Sequence, residues 1–147
     1  MKTTEAYTFK VNSDIRNINC IVKEIILYLQ DLYGDISESI VYEIKVILNE
    51  LITNAVKHGN KLDINRFVTI SVGVAGDMNI FFIVEDEGEG YDYKCFMKCL
   101  NNNIQGIFEL CNMKETGRGL FIVKSLSDSI RFNSKGNKII VLKRINS

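Results

Sequence analysis

The chain has 147 residues, of which 46% are hydrophobic and 24% are charged, and 18 lysines and arginines balance 18 aspartates and glutamates. This length fits one domain, and the hydrophobic fraction supports a sizeable core without metal or disulfide staples. The neutral balance disfavours a dedicated nucleic-acid binder, which normally carries a basic excess. With no membrane-length apolar run and no signal-peptide pattern, the composition predicts a single cytoplasmic domain over residues 1–147 that contacts neither nucleic acid nor membrane.

The first half of the chain is predicted to hold one strand and two helices. Residues 5–11 alternate loosely between apolar and polar side chains, as a strand does. Residues 14–33 carry apolar side chains at helical spacing, and Gly34 stands where a C-terminal cap would. The second helix opens at the capping-box-like residues 35–38 and continues to residues 59–60.

The second half is predicted to contain four strands and one helix: strands at 67–75 and 79–84, a helix at about 119–128, and strands at 129–133 and 138–144. Between them, residues 87–117 are rich in glycine and asparagine and resemble a long loop, which in a small domain is commonly functional. Hairpin strands beside grouped helices indicate an α+β domain rather than a parallel doubly wound sheet.

The second helix carries the first candidate site. Glu50, Asn54 and His58 follow one another at i, i+4 and i+8, which places them along one helix face. A carboxylate one turn from a carboxamide oxygen suits Mg²⁺, which prefers oxygen ligands. The same carboxylate could instead accept a proton from an attacking hydroxyl group. An ordinary solvated polar face is the alternative interpretation of this pattern.

The second candidate site is the acidic, glycine-containing run Asp86-Glu87-Gly88-Glu89-Gly90, directly after a predicted strand. Gly88 and Gly90 allow a sharp turn and the close approach of a ligand. Asp86 can accept a hydrogen bond from an exocyclic amine such as that of adenine. The alternative interpretation is an ordinary acidic turn from strand to loop, which would have the same sequence.

The third candidate site is Thr116-Gly117-Arg118-Gly119-Leu120, at the opening of the third predicted helix. Glycines at a helix start expose backbone N–H groups, and the positive end of the helix dipole favours phosphate. A glycine-rich helix cap is the simpler alternative. Neither a Walker A loop nor a Rossmann fingerprint is present, so any nucleotide is held in another way.

Taken in order, these motifs resemble those of the GHKL ATPase superfamily, and at this length the detailed match is to the bacterial anti-sigma-factor serine kinases. Residues 50–59 look like the N box of that family. Residues 84–92 and 117–128 look like its first and second glycine boxes, and residues 132–144 resemble its final hairpin.

The resemblance implies a Bergerat-type α+β fold: a two-layer α/β sandwich with a mixed, mostly antiparallel sheet and helices on one face. It also implies a role for each matching residue. Glu50 would be the general base and Asn54 the ligand of Mg²⁺, while Asp86 would hold the adenine amino group in a pocket shaped by Gly88 and Gly90. The lid over the phosphates would span about 92–116, with backbone N–H groups donated by Gly117 and Gly119.

The activity that the resemblance implies is transfer of the ATP γ-phosphoryl group to a serine or threonine of a small anti-sigma-factor antagonist. The unphosphorylated antagonist would free a sigma factor that the kinase otherwise sequesters. Because dimers are common in the resembling family, a homodimer is also implied. The alternative is an ATP-binding switch or adaptor without kinase activity. A sensor histidine kinase fragment is disfavoured, because the only histidine, His58, lies inside the N box.

Four features depart from the family pattern or stand outside it. The chain contains no proline, and Asn137 rather than a threonine follows Gly136 in the last hairpin. Arg118 fits a phosphate contact and a solvent-facing position equally well. The spacing of Cys95, Cys99 and Cys111 matches no common zinc pattern, so reduced thiols are favoured over a metal site.

Overall fold

The computed structural model describes residues 6–76, 78–90 and 115–145 of the chain. Cys95, Cys99, Cys111 and the predicted lid as far as residue 114 lie outside this part. In chain order the elements are β1 (Tyr7–Asn12), a 3₁₀ turn (Ile15–Asn17), α1 (Ile18–Tyr33), α2 (Glu38–Asn54), a π turn (Ala55–Gly59), β2 (Phe67–Ala75), β3 (Asn79–Glu85), α3 (Glu115–Leu126), β4 (Ser129–Phe132) and β5 (Lys138–Arg144).

The five strands form one sheet in the order β1-β2-β3-β5-β4, and every strand pairing among them is antiparallel. In the central pairs Ile70 lies opposite Val84, and Val84 lies opposite Ile139. Because side chains alternate across a strand, these residues share one face of the sheet. All three are buried in the same core as the helices, so the predicted two-layer α+β fold with helices on one face is confirmed.

The helices are amphipathic, and each buries one stripe. Ile25 and Leu29 of α1, Leu48 and Leu51 of α2, and Leu120 of α3 are fully buried. Apolar side chains at this spacing form one face of a helix, so burial of that face rather than intrinsic propensity holds the helix in place. None of the helices in residues 6–76, 78–90 and 115–145 combines the length and apolar character needed to cross a membrane.

The second helix begins at Glu38, within the predicted opening at residues 35–38, and its N-cap residue Ser37 accepts a hydrogen bond from the Ile40 N–H group at 3.3 Å. Three other helix boundaries differ from the prediction. Helix α1 begins at Ile18 rather than at residue 14, after a 3₁₀ turn, and α2 ends at Asn54 rather than at residues 59–60. The third helix begins at Glu115, four residues before the predicted start at Gly119. Full burial of Leu120 and Val123 on this helix outweighs the low helix propensity of its glycines, about 1 kcal/mol each.

One buried ion pair ties the last strand to two helices. The Lys143 side chain is 8% exposed and donates to Glu43 Oε1 of α2 at 2.5 Å. Its ammonium group also donates to the Leu126 carbonyl at the end of α3, at 2.6 Å. A buried charge is tolerated only when it is paired and hydrogen-bonded, and Lys143 meets both conditions.

Candidate functional site

Glu50, Asn54 and Gly119 lie together where α2 passes α3. Glu50 and Asn54 are half-buried and one helical turn apart, and Gly119 of the facing helix is buried. A side-chain carbon at Gly119 would overlap Glu50 Oε2 and would stand 3.6 Å from Asn54 Nδ2. Glycine at this position therefore leaves room for the Glu50 carboxylate, while the distance to the Asn54 carboxamide is an ordinary contact.

The Asn54 carboxamide has a hydrogen-bond donor that is not used within the described part of the chain. Its Nδ2 atom is buried and has no hydrogen-bond partner within the part of the chain that the structure describes. A buried polar atom without a partner is unfavourable by about 1–3 kcal/mol, so such atoms usually have a reason to be there. A bound phosphate oxygen would satisfy this N–H group, and the carbonyl oxygen of the same amide is a ligand type that suits Mg²⁺. The residues present therefore fit a magnesium–phosphate group.

A π turn directly follows Asn54. The Asn60 N–H group donates to the Ala55 carbonyl at 2.8 Å, five residues back instead of four. His58, within this turn, is exposed, whereas Glu50 and Asn54 are half-buried and both lie beside Gly119. The structure therefore brings Glu50 and Asn54 together, and a face shared with His58 stays a prediction.

Asp86, just beyond β3, faces the end of this π turn. A side-chain carbon at Gly59 would overlap the Asp86 carboxyl group, and one at Gly88 would overlap the Gly59 carbonyl oxygen. The Gly88 N–H group donates to Asp86 Oδ1 at 2.8 Å. Burial raises the pKa of the Asp86 carboxyl above its usual value, and the Gly88 hydrogen bond only partly opposes this effect.

The remaining predicted glycines lie at two other places. Gly90 has φ of +85° and packs so closely on the Lys135 carbonyl, in the turn between β4 and β5, that no side chain would fit. Gly117 lies in the first turn of α3, where backbone N–H groups have no partner inside the helix. Gly119 falls beyond that turn, so its place beside Glu50 is a matter of close packing.

Two asparagines that sequence reasoning did not assign to the site are buried beside Asp86. Asn60 is 0% exposed and Asn137 is 9% exposed. Asn60 Oδ1 accepts from the Glu87 N–H group at 2.7 Å, and Asn137 Nδ2 donates to the Asp86 carbonyl at 2.8 Å. The one available signal was the unusual asparagine at 137, in place of the threonine of the resembling family.

A hollow of about 440 Å³ between α1 and α2 opens onto Glu50. Asn19, Lys23, Lys45 and Asn49 contribute to its wall. One side of the Glu50 neighbourhood is therefore open to a second molecule. Nowhere in residues 6–76, 78–90 and 115–145 do three or more His, Cys, Asp or Glu side chains cluster as metal ligands.

The fold and these paired sites define the class of the protein. The model of the histidine kinase-like ATPase domain family matches residues 20–143, and the chain belongs to that family. The resemblance to the GHKL superfamily is thereby confirmed.

Individual relatives carry more specific names. Serine-protein kinase RsbW of Bacillus subtilis (strain 168) is 31% identical over 105 residues, which cover 71% of this chain and 64% of that relative. The protein of the same name from Staphylococcus epidermidis is 30% identical over 119 residues, 77% of this chain and 68% of its own. Anti-sigma F factor of Clostridium perfringens (strain SM101 / Type A) is 28% identical over 113 residues, 71% of this chain and 73% of its own. The match thus spans slightly less than two thirds of the Bacillus protein.

Proposed function

We propose that this chain is an ATP-dependent serine/threonine protein kinase that also acts as an anti-sigma factor. Its substrate would be a small anti-sigma-factor antagonist, and it would sequester a sigma factor in the cytoplasm until unphosphorylated antagonist displaces that factor. The observation that carries the proposal is the packing of Glu50 and Asn54 against Gly119, within a fold of the ATPase family. The names of the relatives, serine-protein kinase and anti-sigma factor, support the same activity.

At the adenine end, the ionised Asp86 carboxylate would accept a hydrogen bond from the amino group of the base. Gly59 and Gly88 have no side chains, and both lie against Asp86 or its loop. The carboxyl group is held by the Gly88 N–H group at one oxygen, which leaves the second oxygen for the base. A charged acceptor gives a stronger hydrogen bond than a neutral one, and partial burial strengthens it further.

At the phosphate end, the residues would act mainly by positioning and by charge neutralisation. Asn54 would hold Mg²⁺ through its side-chain oxygen, and the ion would neutralise charge on the phosphate oxygens. Gly117, in the first turn of α3, would donate its backbone N–H group to phosphate, favoured by the positive end of the helix dipole. Gly119, also predicted as a phosphate contact, would keep α3 close enough for this arrangement.

Glu50 would be the general base. The acceptor hydroxyl oxygen forms a bond to the γ-phosphorus, the bond from that phosphorus to the β,γ-bridging oxygen breaks, ADP leaves, and the hydroxyl proton passes to Glu50. An acceptor could approach through the hollow beside α1, whose wall includes Lys23 and Lys45. General-base catalysis of this kind contributes about 10²–10⁴-fold to a rate.

The second candidate function is a nucleotide-dependent switch or adaptor that binds ATP without transferring phosphate. The close packing of Gly59 and Gly88 around Asp86 would serve that function equally well. A pure binder, however, has no need for a carboxylate packed beside the magnesium ligand and open to a hollow, so Glu50 favours the kinase. A homodimer is compatible with both functions.

The test is incubation of the chain with radiolabelled ATP and a small antagonist protein, followed by measurement of label on serine or threonine. Wild type should label the antagonist. Glu50→Gln should still bind ATP but label it about 10²–10⁴ times more slowly. Glu24→Gln, which removes an exposed carboxylate from the neighbouring helix α1, is the matched control and should label normally. ATP binding by wild type without any transfer would support the switch, and no ATP binding would end both proposals.

A further inference from the structure

The single peptide bond between Asp86 and Glu87 is held from both sides. Its carbonyl oxygen accepts from Asn137 Nδ2 at 2.8 Å, and its N–H group donates to Asn60 Oδ1 at 2.7 Å. A trans peptide is planar, with its oxygen and hydrogen pointing in opposite directions. Two side chains from different parts of the fold therefore fix the orientation of one peptide plane.

Each asparagine is itself anchored. Asn60 Nδ2 donates to Ser13 Oγ at 2.9 Å, just after β1, and to the carbonyl of Phe67, the first residue of β2, at 3.0 Å. Asn137 Oδ1 accepts from Asn133 Nδ2 at 2.8 Å, within the turn between β4 and β5. Both carboxamides are buried and form hydrogen bonds through both oxygen and nitrogen, and such buried polar networks favour one arrangement over others.

Asn137 holds the backbone of Asp86 on both sides. The Asp86 N–H group donates to the Asn137 carbonyl at 3.0 Å, and the Asp86 carbonyl accepts from Asn137 Nδ2 at 2.8 Å. Because both backbone polar groups of Asp86 are bonded, its backbone angles are restricted and its Cα–Cβ bond keeps one direction. Asn60 holds the next residue through the Glu87 N–H group.

We propose that Asn60 and Asn137 are positioning residues that aim the Asp86 carboxylate and thereby set selectivity for a 6-amino purine. The inference rests on the proposed function, because it assumes that Asp86 receives the adenine amino group. Neither asparagine touches the base in this proposal. Each acts through the backbone of Asp86, so their loss should weaken discrimination between bases more than it weakens contacts with phosphate.

The experiment compares the affinity of the full chain for ATP with its affinity for purine riboside triphosphate, which lacks the 6-amino group. Wild type should prefer ATP by about tenfold or more, as expected for one hydrogen bond to a charged group. Asn137→Asp preserves the shape of the side chain but replaces the donor by an acceptor facing the Asp86 carbonyl. That variant should lose most of the preference. Asn137→Ala is the second variant, in case the first does not fold.

The matched control is Tyr33→Phe. The Tyr33 hydroxyl group donates to the carbonyl of Asn79 at 3.2 Å, at the opposite end of the strand that leads to Asp86. This variant loses a comparable bond to β3 and should keep the full preference for ATP. If folded Asn137 variants keep the wild-type preference, the positioning role is overturned while the proposed function stands. If wild type itself shows no preference, the adenine role of Asp86 fails, and this inference fails with it.

Discussion

Replacing Gly119 by alanine should separate the stability of the fold from its catalysis. The added methyl group would overlap Glu50 Oε2, the free end of a flexible side chain, while its distance of 3.6 Å from Asn54 Nδ2 is an ordinary contact. The helix backbone can therefore stay in place, and the carboxylate is the group that must move.

Two magnitudes follow from this geometry. Alanine is favoured over glycine inside a helix by about 0.5–1 kcal/mol, so the free energy of unfolding should stay level or rise by up to that amount. Removing the overlap needs a displacement of the Glu50 carboxylate by about 1 Å, and a misplacement of that size reduces a rate by about 10²-fold. That loss corresponds to about 2.7 kcal/mol in the activation barrier.

The assay is steady-state transfer of labelled phosphate to the antagonist, with urea unfolding measured on the same samples. Ser125→Ala is the matched control, because it also raises helix propensity but lies on the exposed side of α3, away from Glu50. In a Glu50→Gln background, Gly119→Ala should have little further effect on transfer, since both changes act on one group. Normal turnover by Gly119→Ala would show that Gly119 does not protect the position of Glu50, the proposed base.

Four further predictions concern charged groups. Asp86→Asn should weaken ATP binding by about 1.5–3 kcal/mol in calorimetry, the value of a hydrogen bond to a charged group, and unchanged affinity would remove Asp86 from the adenine site. Burial raises the pKa of the Asp86 carboxyl group in the folded state. As pH is lowered, the affinity of wild type for ATP should therefore begin to fall at a pH above the pKa of an ordinary carboxyl group. Asp86→Asn should not show this fall. The free energy of unfolding should change with pH in the opposite direction. The stabilisation that Asp86 gives the fold is present below the pKa of its carboxyl group in the unfolded state, and it is lost as pH rises through the higher pKa of the folded state. Urea unfolding from pH 3 to 7 would reveal this loss. Lys143→Met should lower the free energy of unfolding by about 3 kcal/mol, because it leaves Glu43 and the Leu126 carbonyl without their hydrogen-bond donor. Adding Glu43→Leu should restore most of this loss. Equal stabilities of the single and double variants would contradict the prediction.

Most of the fold could be predicted from periodicity. Strand β2 spans the predicted residues 67–75, and β3 and β5 agree with the prediction within one residue. These strands carry alternating apolar side chains bounded by turns, which is the clearest strand signal. In the site, the pairing of Glu50 with Asn54 follows from helical spacing alone.

The rest depends on contacts between distant parts of the chain. The π turn gives no periodic signal of its own, so helical spacing extends the predicted second helix to residues 59–60, past the end of α2 at Asn54. The early start of α3 follows from the burial of Leu120 and Val123, which overrides the local preference of two glycines. Asn60 and Asn137 are 77 positions apart in sequence, and only the folded sheet brings both to the same peptide bond.

The π turn determines which residue faces the Asp86 carboxyl group. Between Asn54 and Gly59 the backbone holds about one residue more than an α-helix with the same hydrogen-bonded ends. If the same sequence formed an ordinary α-helical turn, His58 would take the position from which Gly59 faces Asp86. That position leaves no room for a side chain, because a side-chain carbon there would overlap the Asp86 carboxyl group. Substitutions at exposed positions such as Lys57 leave this arrangement unchanged and should be well tolerated.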